Sequence, residues 1–207
     1  MRYLPVYIFV LSLTVAAFAQ GPIDDDIRAL VAASKVKDNT YFNSHAGFLI
    51  HLPEPACQPD LKAKLSSSSV ILLQCLHTVP DRNNQYTFSI FVDYWPRNGR
   101  GIDQYAHSLR HLAETNPKNR AELDPDLKLV EGETPRKWAG LDFQEMIFSH
   151  RVPGGMFYQG ASCAFLKEYV LCFRAEAASV ERLRPMLMLD KKLEIIKSPK
   201  ALDPAKK

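Results

Sequence analysis

Between Gln85 and Trp95 the chain alternates with a period of two. Tyr86, Phe88, Ile90, Val92 and Tyr94 share one face, while Thr87, Ser89 and Asp93 share the other. Successive side chains of a strand point to opposite faces, so the pattern dictates a β-strand with one face on a core. The run Val70 to Val79 before it is strongly apolar, and only the polar Pro80-Asp81-Arg82-Asn83-Asn84 separates the two. Strands joined by so short a connection pair antiparallel, so the frame is a hairpin and not a βαβ crossover.

The rest of the chain fits the same frame. Thr40-Tyr41-Phe42 and Gly47 to Leu52 read as two strands joined by Asn43-Ser44-His45-Ala46. Pro55 to Ser69 is polar and irregular and reads as a loop. Leu127–Glu131, Leu141–His150, Gly155–Leu166 and Tyr169–Ala175 read as four further strands. Three helices complete the set. Asp24-Asp25-Asp26 opens a short one ending near Lys37, since acidic residues suit the unpaired amides of a first turn. Ile102 to Glu114 carries an apolar stripe at Ile102, Tyr105, Leu109 and Leu112. Ser179 caps a third, which Pro185 is expected to kink or split. Strand runs that alternate with helices without parallel crossovers predict an α+β domain: an antiparallel sheet of about six or more strands with helices packed on it.

The first residues are read as a secretory leader. Arg2 supplies charge, Leu4 to Ala17 is almost wholly apolar, and Ala17-Phe18-Ala19 puts small residues at the cleavage position. The apolar run is short against about 30 Å of hydrocarbon, which argues against a membrane anchor after cleavage. The expected layout is a leader over 1–19, a lead-in helix over 20–37, one domain over 38–197 and a disordered tail over 198–207. Cleavage leaves 188 of the 207 residues, with 25 basic against 23 acidic side chains. That near balance excludes an electrostatic nucleic-acid binder as the expected class. The expected location is secreted or periplasmic.

Four cysteines lie in the mature part, Cys57, Cys75, Cys163 and Cys172. No C-x-x-C is present, and gaps of 18, 88 and 9 positions match no zinc pattern. In an oxidising compartment an even count reads as two disulfides. With Lys167-Glu168 as a two-residue turn, Cys163 faces Cys172 on a non-hydrogen-bonded pair, where Cα atoms approach to about 4.5 Å. Cys57 and Cys75 then pair by default.

Three segments resemble the PsbP-like α/β/α sandwich superfamily. Tyr41-Phe42-Asn43 with Gly47-Phe48-Leu49-Ile50-His51-Leu52-Pro53 resembles its opening hairpin. Trp138-Ala139-Gly140-Leu141-Asp142-Phe143 resembles a strand that opens with a glycine. Arg184-Pro185 through Glu194-Ile195-Ile196-Lys197-Ser198 resembles its closing helix and the serine-containing end. The resemblance implies that fold, and a binding or assembly role in preference to catalysis.

Candidate chemistry is sparse. His107 and His111 lie four apart on the second helix, a spacing that can hold zinc. Ser108 stands where a metalloprotease helix has its glutamate, and the apolar stripe runs along another face, so a solvated helix face is the competing reading. His45, His51, His77 and His150 are scattered over turns and strands. No G-x-S-x-G surrounds any serine. Gly99-x-Gly101 and Gly154-Gly155 are too short for a phosphate loop, and the acidic triplet at residues 24–26 lacks the spacing of a calcium loop. Trp95, Arg97 and Arg100 are the candidate partner contacts, because tryptophan and arginine are enriched where interfaces hold their energy. The competing reading buries Trp95 beneath the helix that starts at Ile102.

The sequence therefore predicts an exported, non-enzymatic module that binds a protein or envelope component, with no cofactor. The alternative is a small hydrolase or metal-dependent enzyme whose site assembles only in the fold. A pocket in which a histidine meets a carboxylate and a serine favours the enzyme. A flat face with exposed aromatics favours the binder.

Overall fold

The computed structural model describes residues 22–53, 58–61, 64–65, 69–79, 81–95, 101–115, 128–152, 155–167, 169–187 and 192–196. The expected leader over 1–19, the tail over 198–207, Cys57, Arg97 and Arg100 lie outside the described residues.

The chain opens with α1 (Pro22–Ala32), then β1 (Ser34–Lys37), β2 (Thr40–Asn43) and β3 (Phe48–His51). The short β4 (Gln58–Asp60) and β5 (Lys64–Leu65) precede β6 (Ser69–His77). A 3₁₀ turn at Arg82–Asn84 leads into β7 (Tyr86–Tyr94), followed by α2 (Ile102–Thr115). Then come β8 (Lys128–Trp138), β9 (Leu141–Val152), β10 (Gly155–Leu166), β11 (Tyr169–Ala177), α3 (Val180–Leu187) and β12 (Leu193–Ile195). Among the described residues they form two antiparallel sheets. The smaller has the order β1-β2-β3-β12. The larger runs β4-β6-β7-β11-β10-β9-β8, with β5 also pairing β6.

The alternation in β7 does what its period predicts. Tyr86, Phe88, Ile90 and Val92 enter the main core, and the intervening residues face the other way. A register shift between Ile71 and Leu73 lets β6 bury both Leu72 and Leu73. The main core lies between this face of the large sheet and a layer made of the small sheet, α1 and α3. Phe173 is its hub, with ring centres 6.4 Å from Phe48, 6.3 Å from Phe88 and 6.1 Å from Phe143. At Gly160, α3 sits so close that a Cβ would overlap Leu187 Cδ1 and stand 3.0 Å from Leu183 Cδ2. The opposite face carries α2, whose Tyr105, Ala106 and Leu109 pack on Met146, Phe148, Cys163, Val170 and Cys172.

The opening motif proves structural. Buried Asn43 donates to the Leu30 carbonyl at 2.8 Å and to Tyr41 Oη at 3.2 Å, and its Oδ1 accepts from the Ala46 amide at 2.8 Å. One side chain thus ties the end of α1 to β2 and to the turn into β3.

Several elements differ from the sequence reading. The first helix stops at Ala32, not near Lys37, and Ser34–Lys37 turns back as a strand. Asp38 and Asn39, at φ of 49° and 55°, make the two-residue turn that permits it. β8 runs on to Trp138, despite Gly132 and Pro135, because it is an edge strand and needs hydrogen bonds on one side only. The polar stretch after Pro55 contains β4 and β5. Pro185 lies within α3, which is one helix of eight residues. Ser179 does cap it, receiving the Arg182 amide at 3.4 Å.

Cys163 and Cys172 stand opposite each other across β10 and β11 and form a disulfide, with Cα atoms 4.2 Å apart. This is the pairing that a two-residue turn predicts; Lys167, at φ 56°, occupies that turn. Cys75 is also disulfide-bonded, and no described cysteine is free.

Candidate functional site

Asp103, Gln104, His107 and Ser108 occupy positions i, i+1, i+4 and i+5 of α2, and so share one side of the helix. Trp95, at the end of β7, and Glu133, on β8, approach that side and close a recess of about 430 Å³. Trp95 is half-buried and meets Tyr105 edge-on, with ring centres 5.4 Å apart at 80°. Tyr105 is buried beneath it. Its hydroxyl donates to Asp93 at 2.5 Å and lies 3.8 Å from Cys172 Sγ. Burial, together with the neighbouring Asp93 carboxylate, pushes the Tyr105 hydroxyl well above its usual range. The wall behind the recess is therefore a fixed packing unit.

The recess brings a histidine, a carboxylate and a serine into one cavity, but their bonds do not connect. Arg110 Nη2 donates to His107 Nδ1 at 3.2 Å. Arg110 Nη1 also sits 3.3 Å from Glu133 Oε1, whereas His107 Nδ1 is 3.5 Å away. In a nucleophile triad the carboxylate accepts from the histidine. Here Arg110 donates to the histidine, and Glu133 Oε1 has no hydrogen-bond partner among the described residues. The Ser108 hydroxyl donates backwards to the Gln104 carbonyl at 2.9 Å. The arrangement offers contacts and charge.

His107 and His111 are both exposed on α2. Among the described residues, no group of three or more His, Cys, Asp or Glu could hold a metal ion. Trp95 packs on Tyr105 of α2 and also lines the recess. Sequence reading did not single out Asp103, Gln104 or Glu133. Asp103 follows the glycine-rich turn as an ordinary first-turn acid. Glu133 falls in a stretch that Gly132 and Pro135 disguise as a loop.

A second polar spot lies on the core side of the large sheet. Glu145 on β9 is buried and stands opposite Ser162 of β10 and Thr134 of β8. Burial pushes its carboxyl up, Arg136 and Arg184 pull it down, and Glu131 adds a smaller upward push. Arg184 of α3 bonds Glu131, so the helix is pinned to the sheet beside Glu145.

No family model matches the chain, and no curated protein matches it. Among solved structures it is similar to the solution structure of cyanobacterial PsbP (CyanoP) from Synechocystis sp. PCC 6803. The TM-score is 0.54 at 12% identity, over 75% of this chain and 91% of that one. It also aligns with LpqN of Mycobacterium tuberculosis, described as involved in cell envelope biogenesis, at TM-score 0.41 and 13% identity over 69% and 86% of the two chains. A protein of unknown function from Pseudomonas aeruginosa, PA94, aligns at 0.44 and 11% identity over 68% and 89%. The last two scores are too low to carry an argument; the first shows a shared fold.

Proposed function

We propose that this chain, which has the PsbP-like fold, is an exported, non-enzymatic module that binds a protein or envelope component. The observation that carries this reading is the recess beside α2. It holds an aromatic wall and polar groups, yet its serine donates to the helix backbone and its histidine accepts from Arg110, so no hydrogen bond joins histidine, carboxylate and serine. Such a lining suits recognition and lacks the relay that hydrolysis needs.

Export is supported by the leader pattern over Met1 to Ala19 and by the Cys163–Cys172 disulfide, a bond that persists in oxidising compartments. No helix among the described residues is long and apolar enough to cross a membrane. A secreted or periplasmic location follows from these as part of the proposal.

Two measurements test it. N-terminal sequencing of the protein from its native host should begin at Gln20, and retention of Met1 would remove the export argument. Affinity capture with the mature protein should retain a partner that also binds when purified. Trp95→Ala, checked for an intact fold by near-ultraviolet circular dichroism, should lose it. A purified partner held equally well by that variant would place the contact elsewhere.

A further inference from the structure

Among the described residues that line the recess beside α2, one carboxylate has no ion-pair partner. Glu133 is met by Arg110. Asp103 is exposed, lines the same recess, and has no ion-pair partner among the described residues. Its carboxylate lies over Gly101, where an added Cβ would overlap Asp103 Oδ1. First-turn placement also favours an acid there, because the helix start is electropositive. Trp95 forms the neighbouring wall, and Tyr105 holds it edge-on.

An indole beside a carboxylate that no described side chain pairs is the chemistry that receives a cation. The ring face attracts positive charge, and the carboxylate pairs with it. An anion would meet Asp103 unfavourably. A bare metal ion would find too few ligands among the described residues. The recess, at about 430 Å³, has room for a whole side chain with its stem. One cation–π contact and one exposed ion pair bind a free cation weakly. The site therefore gains significance as an anchor point inside a larger protein interface. We infer that this recess receives a lysine or arginine side chain from a partner protein. The inference rests on the binding-module reading above and adds the partner's chemistry to it.

The test is a titration of nitrogen-15-labelled mature protein, followed at the Trp95 indole N–H. The probes are acetyl-Ala-Arg-Ala-amide and acetyl-Ala-Lys-Ala-amide at millimolar concentration. Acetyl-Ala-Gln-Ala-amide, spermidine and N-acetylglucosamine are the comparison arms. The arginine and lysine peptides should shift the resonance, and the glutamine peptide should not. Asp103→Asn should weaken peptide binding about fivefold, the weight of one charge contact in water, with an unchanged melting temperature. Gly101→Ala, which displaces the carboxylate, should act in the same direction. An equal response to the glutamine peptide, unaltered binding by Asp103→Asn, a response to the sugar alone, or silence in every arm would overturn the inference. Spermidine binding as well as the peptides would overturn the assignment to a protein partner. In affinity capture, a partner held equally by wild type and Asp103→Asn sinks the cation pocket and spares the binding module. Absence of any partner on the wild type sinks the module itself.

Discussion

Gly160→Ala isolates the contact that seats α3 on the large sheet. In an unconstrained strand the change would stabilise by about 0.4–1 kcal/mol, through lost freedom in the unfolded chain. Here the added methyl overlaps Leu187 Cδ1 and stands 3.3 Å from Leu187 Cγ and 3.0 Å from Leu183 Cδ2. Both leucines are fully buried, so neither can swing into solvent. Overpacking of this kind costs about 1–3 kcal/mol. The clash outweighs the entropy gain, leaving a net loss of about 1–2 kcal/mol. For a domain of this size each kcal/mol moves Tm by about 2–4 °C, so Tm should fall by ~2–8 °C. Calorimetry and urea unfolding followed by tryptophan fluorescence read the change. A double-mutant cycle sharpens it. Leu187→Ala alone should cost about 2–5 kcal/mol by opening a cavity. In the double variant the new methyl occupies part of that volume, so the combined loss should fall short of the sum by about 0.5–3 kcal/mol. A Gly160→Ala protein at or above the wild-type Tm, or strict additivity in the cycle, would refute the close seating of α3.

Two further outcomes follow from the buried groups. Replacing Cys163 and Cys172 together by alanine opens a loop spanning nine positions and should cost about 2–3 kcal/mol in the chain-entropy model; non-reducing peptide mapping of the wild type should join these two residues, and a Cys57–Cys163 peptide would contradict the register. Burial raises the folded-state pKa of Glu145 above its ordinary 4.5, so the folded protein holds that proton more tightly than the unfolded chain. Its contribution is complete below pH 4.5 and is lost as pH rises through the raised value. Glu145→Gln should flatten the fall of Tm between pH 4.5 and 7 and should be no less stable than wild type at pH 7; a parallel pH profile would count against the burial argument.

Much of the large sheet was legible because its strands carry strong local signals. The alternation of β7 is undisturbed, and the register of β10 on β11 follows from a two-residue turn, which placed Cys163 against Cys172 without any long-range information. The small sheet was hard to see for a physical reason. Ser34-Lys35-Val36-Lys37 has a single large apolar residue and follows a helix directly, so its strand character comes from pairing with β2 and not from its own composition. β12 is three residues long and exists only because β3 is there to receive it. The recess was half legible. Trp95 and His107 stood out by residue type, whereas Glu133 joins them only because β8 crosses behind α2. No pattern in the chain records that neighbourhood.

The pairing of β12 with β3 also sets an order of events. Apart from β7 on β11, the neighbouring long strands of the large sheet are joined by short connections and can form as local hairpins. The last strand of the small sheet, Leu193–Ile195, instead has to reach Phe48–Ile50 across nearly the whole domain. Closing so long a loop is slow, because chain entropy is lost before the contacts form. During synthesis, β3 therefore presents an unpaired edge until the last strand has left the ribosome. A chain that ends before Leu193 is left with an open strand edge, the surface from which aggregation starts.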